Sequence, residues 1–560
     1  MKPIWYKSYM PKVPHHICLP ENPNLVDVFL GSVKAFPNRP VINNFGTEIT
    51  YEELDQLSQY VANYLKFELK LSRGTRVAIM MPNLIQTPVV MMGVLRAGMV
   101  VVNVNPLYTP RELLHQINDA QADVIFVVEN FAKTIERCHG KLHVKHVIVS
   151  SLGDSFSFVK RSVFNFAVRQ IKKMVPPFFI KDAIPYLSVL KEGAKHTYVD
   201  VPIKSDDLAF LQYTGGTTGQ AKGAELTHRC MTANVMQIVA SVKPCMGKGT
   251  DKLIVALPLY HIFSLTVCFF AFIVFGSECI FITNPRDLDS FVKILAKTPF
   301  TIFAGVNTLY NALIHHKRIK EVDFSHLKFS AAGGMALQKK ISDEWKALTG
   351  SQIIEGYGLT EASPVVSFNP LDIECFNHSI GLPIPSTNIK IVDEHDEDLG
   401  IDEVGELCVK GPQVMRGYWN NAEATREVLD DHGWLKTGDM ARVDNQGFIY
   451  IVDRKKDMIV VSGFNVYPNE IEDVIALMDE VKQVAVIGVP NEKTTEAAKA
   501  FIVKADPKLT EQMVVDHCRE HLTRYKVPKE IEFRFDLPMS NVGKVMRLEL
   551  KKEEAAKQSK

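Results

Sequence analysis

Short apolar runs rich in β-branched residues recur along the chain up to Gly381, at Arg76–Met80, 122–128, His146–Ser150, 253–257, 278–282 and 301–304. Stretches of helical period separate them. A strand that is apolar on both faces fits a parallel sheet covered by helices on each side, so the alternation predicts an α/β architecture. After Gly381 the pattern changes to short strands, such as Gly405–Lys410 and 448–452, parted by Asp-, Asn- and Gly-rich turns. That texture predicts a small, mainly antiparallel, β-barrel-like subdomain. At Asp453-Arg454-Lys455-Lys456-Asp457 a charged run follows an apolar strand, and beyond it come an amphipathic helix from Glu470, strands at 483–489 and 500–503, and a helix from Glu511. These suffice for an independent α+β domain. The expected division is a large N-terminal domain, 1–452, built from two α/β subdomains and the β-rich one, followed by a small C-terminal domain, 453–560. The charged tail 551–560 is expected to fray.

Two segments bear on membranes. Residues 262–276 carry no charge, but they fall short of the roughly 20 residues a spanning helix needs; a buried helix followed by a strand is the expectation. Residues 160–175, drawn as a helix, place Val163, Phe164, Ala167, Val168, Ile171, Met174 and Val175 on one face and Arg161, Asn165, Arg169, Lys172 and Lys173 opposite. A basic face against an apolar one is the pattern of an interfacial helix, and equally of an ordinary helix packed on its own domain.

Composition narrows the classes. An apolar share of 46% with 23% charged residues is that of a packed globular protein. Lys plus Arg and Asp plus Glu are 64 each, so no global field draws the chain to nucleic acid. The nine cysteines are scattered and never spaced Cys-x-x-Cys, which argues against a zinc site and a disulfide framework. Residues 1–14 lack the continuous apolar core of a secretory signal. A cytoplasmic protein is expected, with the helix at 160–175 as its candidate contact with the inner face of the membrane.

The most informative window is Tyr213-Thr214-Gly215-Gly216-Thr217-Thr218-Gly219-Gln220-Ala221-Lys222-Gly223. Glycines let backbone N–H groups approach an anion while hydroxyls and a lysine add donors, so the window reads as a phosphate cradle. It is not the Walker form, because Gly223 follows the lysine and the glycine spacing differs.

This window, followed in order by Pro258-Leu259-Tyr260-His261, Gly356-Tyr357-Gly358-Leu359-Thr360-Glu361, Thr437-Gly438-Asp439, Asp453-Arg454-Lys455-Lys456 and Gly543-Lys544, resembles the adenylate-forming (ANL) superfamily of acyl-CoA synthetases. The segments from Gly433 through Lys456 and from Ser462 through Pro468 are similar to bacterial long-chain fatty-acid-CoA ligases. The resemblance implies a mobile C-terminal domain and a two-step reaction. ATP and Mg2+ convert a fatty acid to an acyl-adenylate, and coenzyme A then takes the acyl group, releasing AMP and pyrophosphate.

It also implies roles. Thr214, Thr217, Thr218 and Lys222, with Tyr213, Gly215, Gly216 and Gly219 around them, would handle the triphosphate. Glu361, with Thr214, would hold Mg2+. Gly333, Gly334 and Met335 would form a backbone wall for adenine, with Tyr357 and Gly358 against the base and Thr360 at the α-phosphate. Asp439 would accept the ribose hydroxyls, and Arg454 would make a second ribose or phosphate contact. Lys544 would bridge the carboxylate and phosphate oxygens; Met539-Ser540 stands where many relatives carry a second lysine, so the role passes to Lys544 alone. His261 would gate the carboxylate or the pyrophosphate exit. Asp453 would be the hinge, and Ser462, Gly463 and Phe464 would line the coenzyme A channel.

Rival readings remain at this level. One is an adenylating enzyme that loads a carrier protein or acts on medium-chain or aryl acids; another is a non-catalytic fatty-acid transport or binding protein. Retention of Glu361, Asp439 and Lys544 together speaks against the last. Chain length and oligomeric state are open, the homodimer being the commonest closed form.

Overall fold

The computed structural model describes residues 3–138, 140–214, 221–462, 464–491, 494–540 and 544–558. A seven-stranded sheet runs in the order Ile184–Pro185, His146–Ser150, Val124–Val128, Arg76–Met80, Val100–Asn103, Leu208–Thr214 and Lys222–Thr227. Its strands pair in parallel until the last two, which form an antiparallel hairpin. A nine-stranded sheet is parallel at its centre, through Ile353–Gly358, Phe329–Ala332, Ile302–Gly305, Lys252–Val255 and Glu278–Phe281, and antiparallel at both ends. Most of the β-branched runs therefore become strands buried on both faces: Val124–Val128 is buried at every position, whereas His146–Ser150, nearer the sheet edge, is only partly buried.

The charge-free stretch 262–276 folds as expected. Residues Ser264–Phe270 and Ala271–Ile273 are helical, with Leu265, Cys268, Phe269, Phe270 and Ile273 buried, and the strand Glu278–Phe281 follows. No helix among the described residues is long and apolar enough to cross a membrane.

Beyond Gly381 a four-stranded antiparallel sheet, Asn388–Val392, Gly405–Lys410, Leu435–Val443 and Ile449–Arg454, forms the third part of the N-terminal region. It is an open sheet and not the barrel-like one expected, since its outer strands do not pair with each other among the described residues. Its last strand carries Asp453 and ends one residue later, where Arg454 pairs with Asp439. The C-terminal part is a five-stranded sheet with Thr495–Lys504 at its centre and Val481–Asn491 paired along it at one edge, packed by helices Pro468–Ala476, Glu511–His521 and Arg547–Gln558.

Two further expectations are corrected. The tail does not fray from residue 551: the helix runs to Gln558, because Leu550 is buried against Val481–Asn491 and Glu554 meets buried Lys499 at 2.7 Å. The stretch 160–175 is helical from Phe158–Phe166 into Ala167–Ile171, but its faces divide differently. Phe164 packs on Phe45 and Phe156, and Val168 is buried. Asn165, assigned to the polar face, is also buried and accepts a bond from Gly153 N (2.9 Å), while Arg169 forms a fork with Glu129. Phe158, Val159, Val163, Phe166 and Ile171 are left facing out.

Candidate active site

The phosphate-cradle motif starts where the hairpin ends. Thr214 pairs with Lys222 as the last rung, and the intervening Gly215, Gly216, Thr217, Thr218 and Gly219 lie outside the described residues. The base of the hairpin is clamped. The Tyr213 hydroxyl donates to Asp119, burial and that carboxylate keep it protonated, and its ring lies across Gly223, where a Cβ would sit 3.0 Å from Tyr213 Cζ. The chain at 416–419 pairs along the outer strand, with Glu225 N donating to Gly417 O (2.9 Å) and Trp419 N to Gly223 O (2.8 Å). That pairing puts the Tyr418 ring 5.3 Å from Lys222 Nζ, and its hydroxyl donates to Glu361 Oε1 at 2.7 Å.

Glu361 comes from the second large sheet. Strand Ile353–Gly358 delivers Tyr357, and a single turn, Thr360–Ala362, turns the carboxylate toward Lys222 and Tyr418. Gly358 admits no side chain, since a Cβ there would lie 2.2 Å from Pro364 O. The wall Gly333-Gly334-Met335 leaves the end of strand Phe329–Ala332; a Cβ on Gly333 would meet Gly356 O at 3.1 Å, and Gly334 has φ +80. The Tyr357 hydroxyl donates to Asp439 Oδ2, and Arg454 Nε lies 3.4 Å from Asp439 Oδ1.

Lys544 reaches this place from the C-terminal part. A Cβ on Gly334 would be 4.0 Å from Lys544 Cε. Burial pushes the Lys544 ammonium down to about 8, helped by Arg454 and Lys456 and opposed by Asp439. His261 is pushed down to about 4 by burial and then by Lys544, so it is neutral near pH 7. Its Nδ1 accepts from Phe263 N (3.3 Å), which leaves the proton of the neutral ring on Nε2.

Lys544, His261, Gly334, Tyr357, Glu361, Asp439, Arg454, Thr214 and Lys222 thus line one cleft of about 2000 Å³ between the two parts of the chain, with Met335 and Thr360 on its walls. Ile238, Val242, Phe263, Val267, Phe272 and Phe329 contribute apolar side chains to its lining. Asp453, fully buried, is also among the residues that line it. Ser462 and Phe464 are not brought there: Ser462 N donates to Thr494 O, and Phe464, 56% exposed, stacks on Tyr525. Gly463 lies outside the described residues.

Sequence reasoning missed Tyr418, which links Lys222 to Glu361, and Glu355. Glu355 is buried with Leu337 N donating to Oε1 (3.1 Å), and its carboxyl is pushed up to about 8 by burial. Glu355 stands two residues before Tyr357 and carried a usable signal. Tyr418, a tyrosine in a loop, carried none.

The model of the AMP-binding enzymes matches residues 29–419, and that of the AMP-binding enzyme C-terminal domain matches residues 470–544. A long-chain-fatty-acid–CoA ligase of Salmonella typhimurium is 51% identical over 557 residues, covering 100% of this chain and 99% of that protein. The protein of the same description from Escherichia coli O6:H1 is 52% identical over 557 residues, with 100% and 99% covered. Among solved structures, the anthranilate CoA ligase AuaEII in complex with anthranoyl-AMP superposes with a TM-score of 0.85 at 24% identity, over 97% of this chain and 99% of that one, a likeness of fold.

Proposed function

This chain belongs to the AMP-binding enzyme family, and we propose that its cleft performs the ATP-dependent activation of a long-chain fatty acid and the transfer of the acyl group to coenzyme A. Full-length likeness at about half identity to long-chain-fatty-acid–CoA ligases supports the substrate class. The observation that carries the chemistry is the meeting of Lys544, from one part of the chain, with Gly334, His261 and Asp439, from the other.

Adenylation joins two anions, so cations must converge where charge builds. Lys544 supplies a compact ammonium able to touch a carboxylate and the α-phosphate together. Lys222 and Thr214 stand at the β- and γ-phosphate end. Asp439, an acceptor for the Tyr357 hydroxyl, takes the ribose hydroxyls, and adenine lies flat on the glycine wall, a reading supported by the lack of side chains there. Neutral His261 offers a donor without adding a second positive charge beside Lys544. The fatty acyl chain lies against the apolar part of the lining, Ile238, Val242, Phe263, Val267, Phe272 and Phe329.

The donor set at Glu361 fits Mg2+. A carboxylate and a threonine hydroxyl are hard oxygen donors, and Mg2+ is held by few protein oxygens together with substrate phosphates. Bound there, Mg2+ would neutralise phosphate charge. Asp453, at the end of the last strand of the four-stranded sheet, is the hinge about which the C-terminal domain, from residue 453 on, turns. That turn would withdraw Lys544 and bring Ser462 to Phe464 toward the acyl group.

AMP release from purified protein, Mg-ATP and coenzyme A, measured from acetate to stearate, tests this reading. AMP formed with long acids and dependent on coenzyme A is the expected result. AMP formed only with short or aryl acids, or without a thioester product, would overturn it.

A second reading concerns where the acid comes from. Phe158, 73% exposed, Val159, Val163, Phe166 and Ile171, 70% exposed, form an outward apolar face, with Arg161, Lys172 and Lys173 on the same segment. Exposed aromatic and aliphatic side chains among cations suit an anionic lipid surface. Asp at Phe158 and Ile171 together is expected to abolish co-sedimentation with phosphatidylglycerol vesicles while leaving activity on detergent-dispersed acid intact. Undiminished co-sedimentation would remove the proposal.

A further inference from the structure

The loop that carries Lys544 is anchored by a group the reaction itself does not use. Ser540 N donates to Lys544 O (2.7 Å), Lys544 N to Ser540 Oγ (3.0 Å), and Met546 N to Pro538 O (2.8 Å). The chain then enters the helix Arg547–Gln558, whose first residue lies three positions after the lysine.

The Arg547 guanidinium is sunk in a nest of acceptors. Nη2 donates to Glu472 Oε2 (2.7 Å) and to Asn469 Oδ1, and Nε donates to Glu472 Oε1 (3.2 Å). Nη1 stands 3.5 Å from both Asp453 Oδ1 and Asp457 Oδ2. The Asp453 side chain is fully buried, and its carboxylate accepts from Asn469 N (2.8 Å) and Arg454 N (2.7 Å). One side chain therefore touches the hinge residue, the charged turn after it, and the helix Pro468–Ala476, while its own backbone begins the helix below the lysine loop.

We propose that Arg547 is the positioning residue that registers the Lys544 loop against the hinge carboxylate of Asp453. The proposal rests on the reading of Lys544 as the adenylation lysine. The planar fork fixes direction as well as charge, which an ammonium in its place would not. The acids need it: burial raises Glu472 to about 7 and holds Asp453 above its usual range even with the guanidinium present. Removing the fork frees the base of the loop, and Lys544 then samples positions away from Gly334. The thioester step, which does not use Lys544, is spared.

The test separates the half-reactions in Arg547→Met, Arg547→Lys, Lys544→Ala and the double variant. In Arg547→Met, pyrophosphate release is expected to fall roughly ten- to a hundredfold, the scale of a misplaced reacting group. Thioester formation from supplied acyl-adenylate should stay near the parent rate, with Arg547→Lys between the two. Adding Arg547→Met to Lys544→Ala should cost nothing further, because a residue that acts only through the lysine has nothing left to position. Equal losses in both half-reactions, an additive double variant, or full adenylation in Arg547→Met would each overturn the proposal. If Arg547→Met does not fold, Arg547→Lys carries the same comparison. Unimpaired adenylation in Lys544→Ala would remove the reading of the lysine, and this proposal with it; loss there but not at Arg547 would remove the proposal alone.

Discussion

Lys544→Ala lowers acyl-adenylate formation by about a hundred- to a thousandfold, the scale on which one preorganised charge-stabilising contact acts, and leaves the capture of supplied acyl-adenylate by coenzyme A largely intact. The split follows from position. The lysine lies against Gly334 beside Arg454 and Asp439, where carboxylate and phosphate meet, and it is carried by the part of the chain that the hinge would remove for the second step.

The same residue sets a pH limit. Burial, and then Arg454, push its ammonium down to about 8, so adenylation should decline as pH rises through that value, and Lys544→Arg should flatten the decline at a lower plateau. Stability moves the other way. Folding depresses this lysine below its ordinary value of about 10.4, so between the two values the unfolded chain holds more protons and the group favours the folded state increasingly as pH rises. An alkaline loss of rate without loss of fold, read by parallel circular dichroism, is the expected pair. A limb shared unchanged by Lys544→Arg would assign it to another group.

Glu361→Gln carries the second large effect. The amide keeps an oxygen for the Tyr418 hydroxyl, so the shape of the turn survives while the charge is lost. The Mg2+ concentration for half-maximal AMP formation should rise by at least ten- to a hundredfold, roughly the loss seen when even an outer partner of a metal ligand is removed. Tyr418→Phe, which removes only the hydroxyl, should shift it less. A Mg2+ requirement unchanged in Glu361→Gln would make the carboxylate part of the scaffold.

What could be read from the chain depended on whether a residue acts through its neighbours in sequence. Strands Arg76–Met80 and Val124–Val128 were legible because a strand buried on two faces is apolar along nearly all of its length. Thr214 and Lys222 were legible because a phosphate cradle needs its glycines and hydroxyls close together. Tyr418 was not, since its value lies in bridging Lys222 and Glu361, which come from different sheets. Residues 262–276 declared their burial, but nothing local says that Phe263 and Val267 face a cavity while Phe269 faces the core. The helix at 160–175 misled because amphipathic spacing gives the face that prefers to hide, and Asn165 could be buried once Gly153 N offered a partner.

Lys499 stands in the C-terminal sheet with its ammonium 2.7 Å from Glu554, 3.2 Å from Glu532 and 3.3 Å from Glu530. Glu554 lies on the helix that begins at Arg547. The helix Arg547–Gln558 is therefore structural in the strict sense. Trimming it before residue 550 would strip Leu550 from its seat, leave Lys499 with one counter-charge fewer, and unravel the helix from the end opposite Arg547. Shortened and full-length proteins should thus differ in their first half-reaction before they differ in their fold.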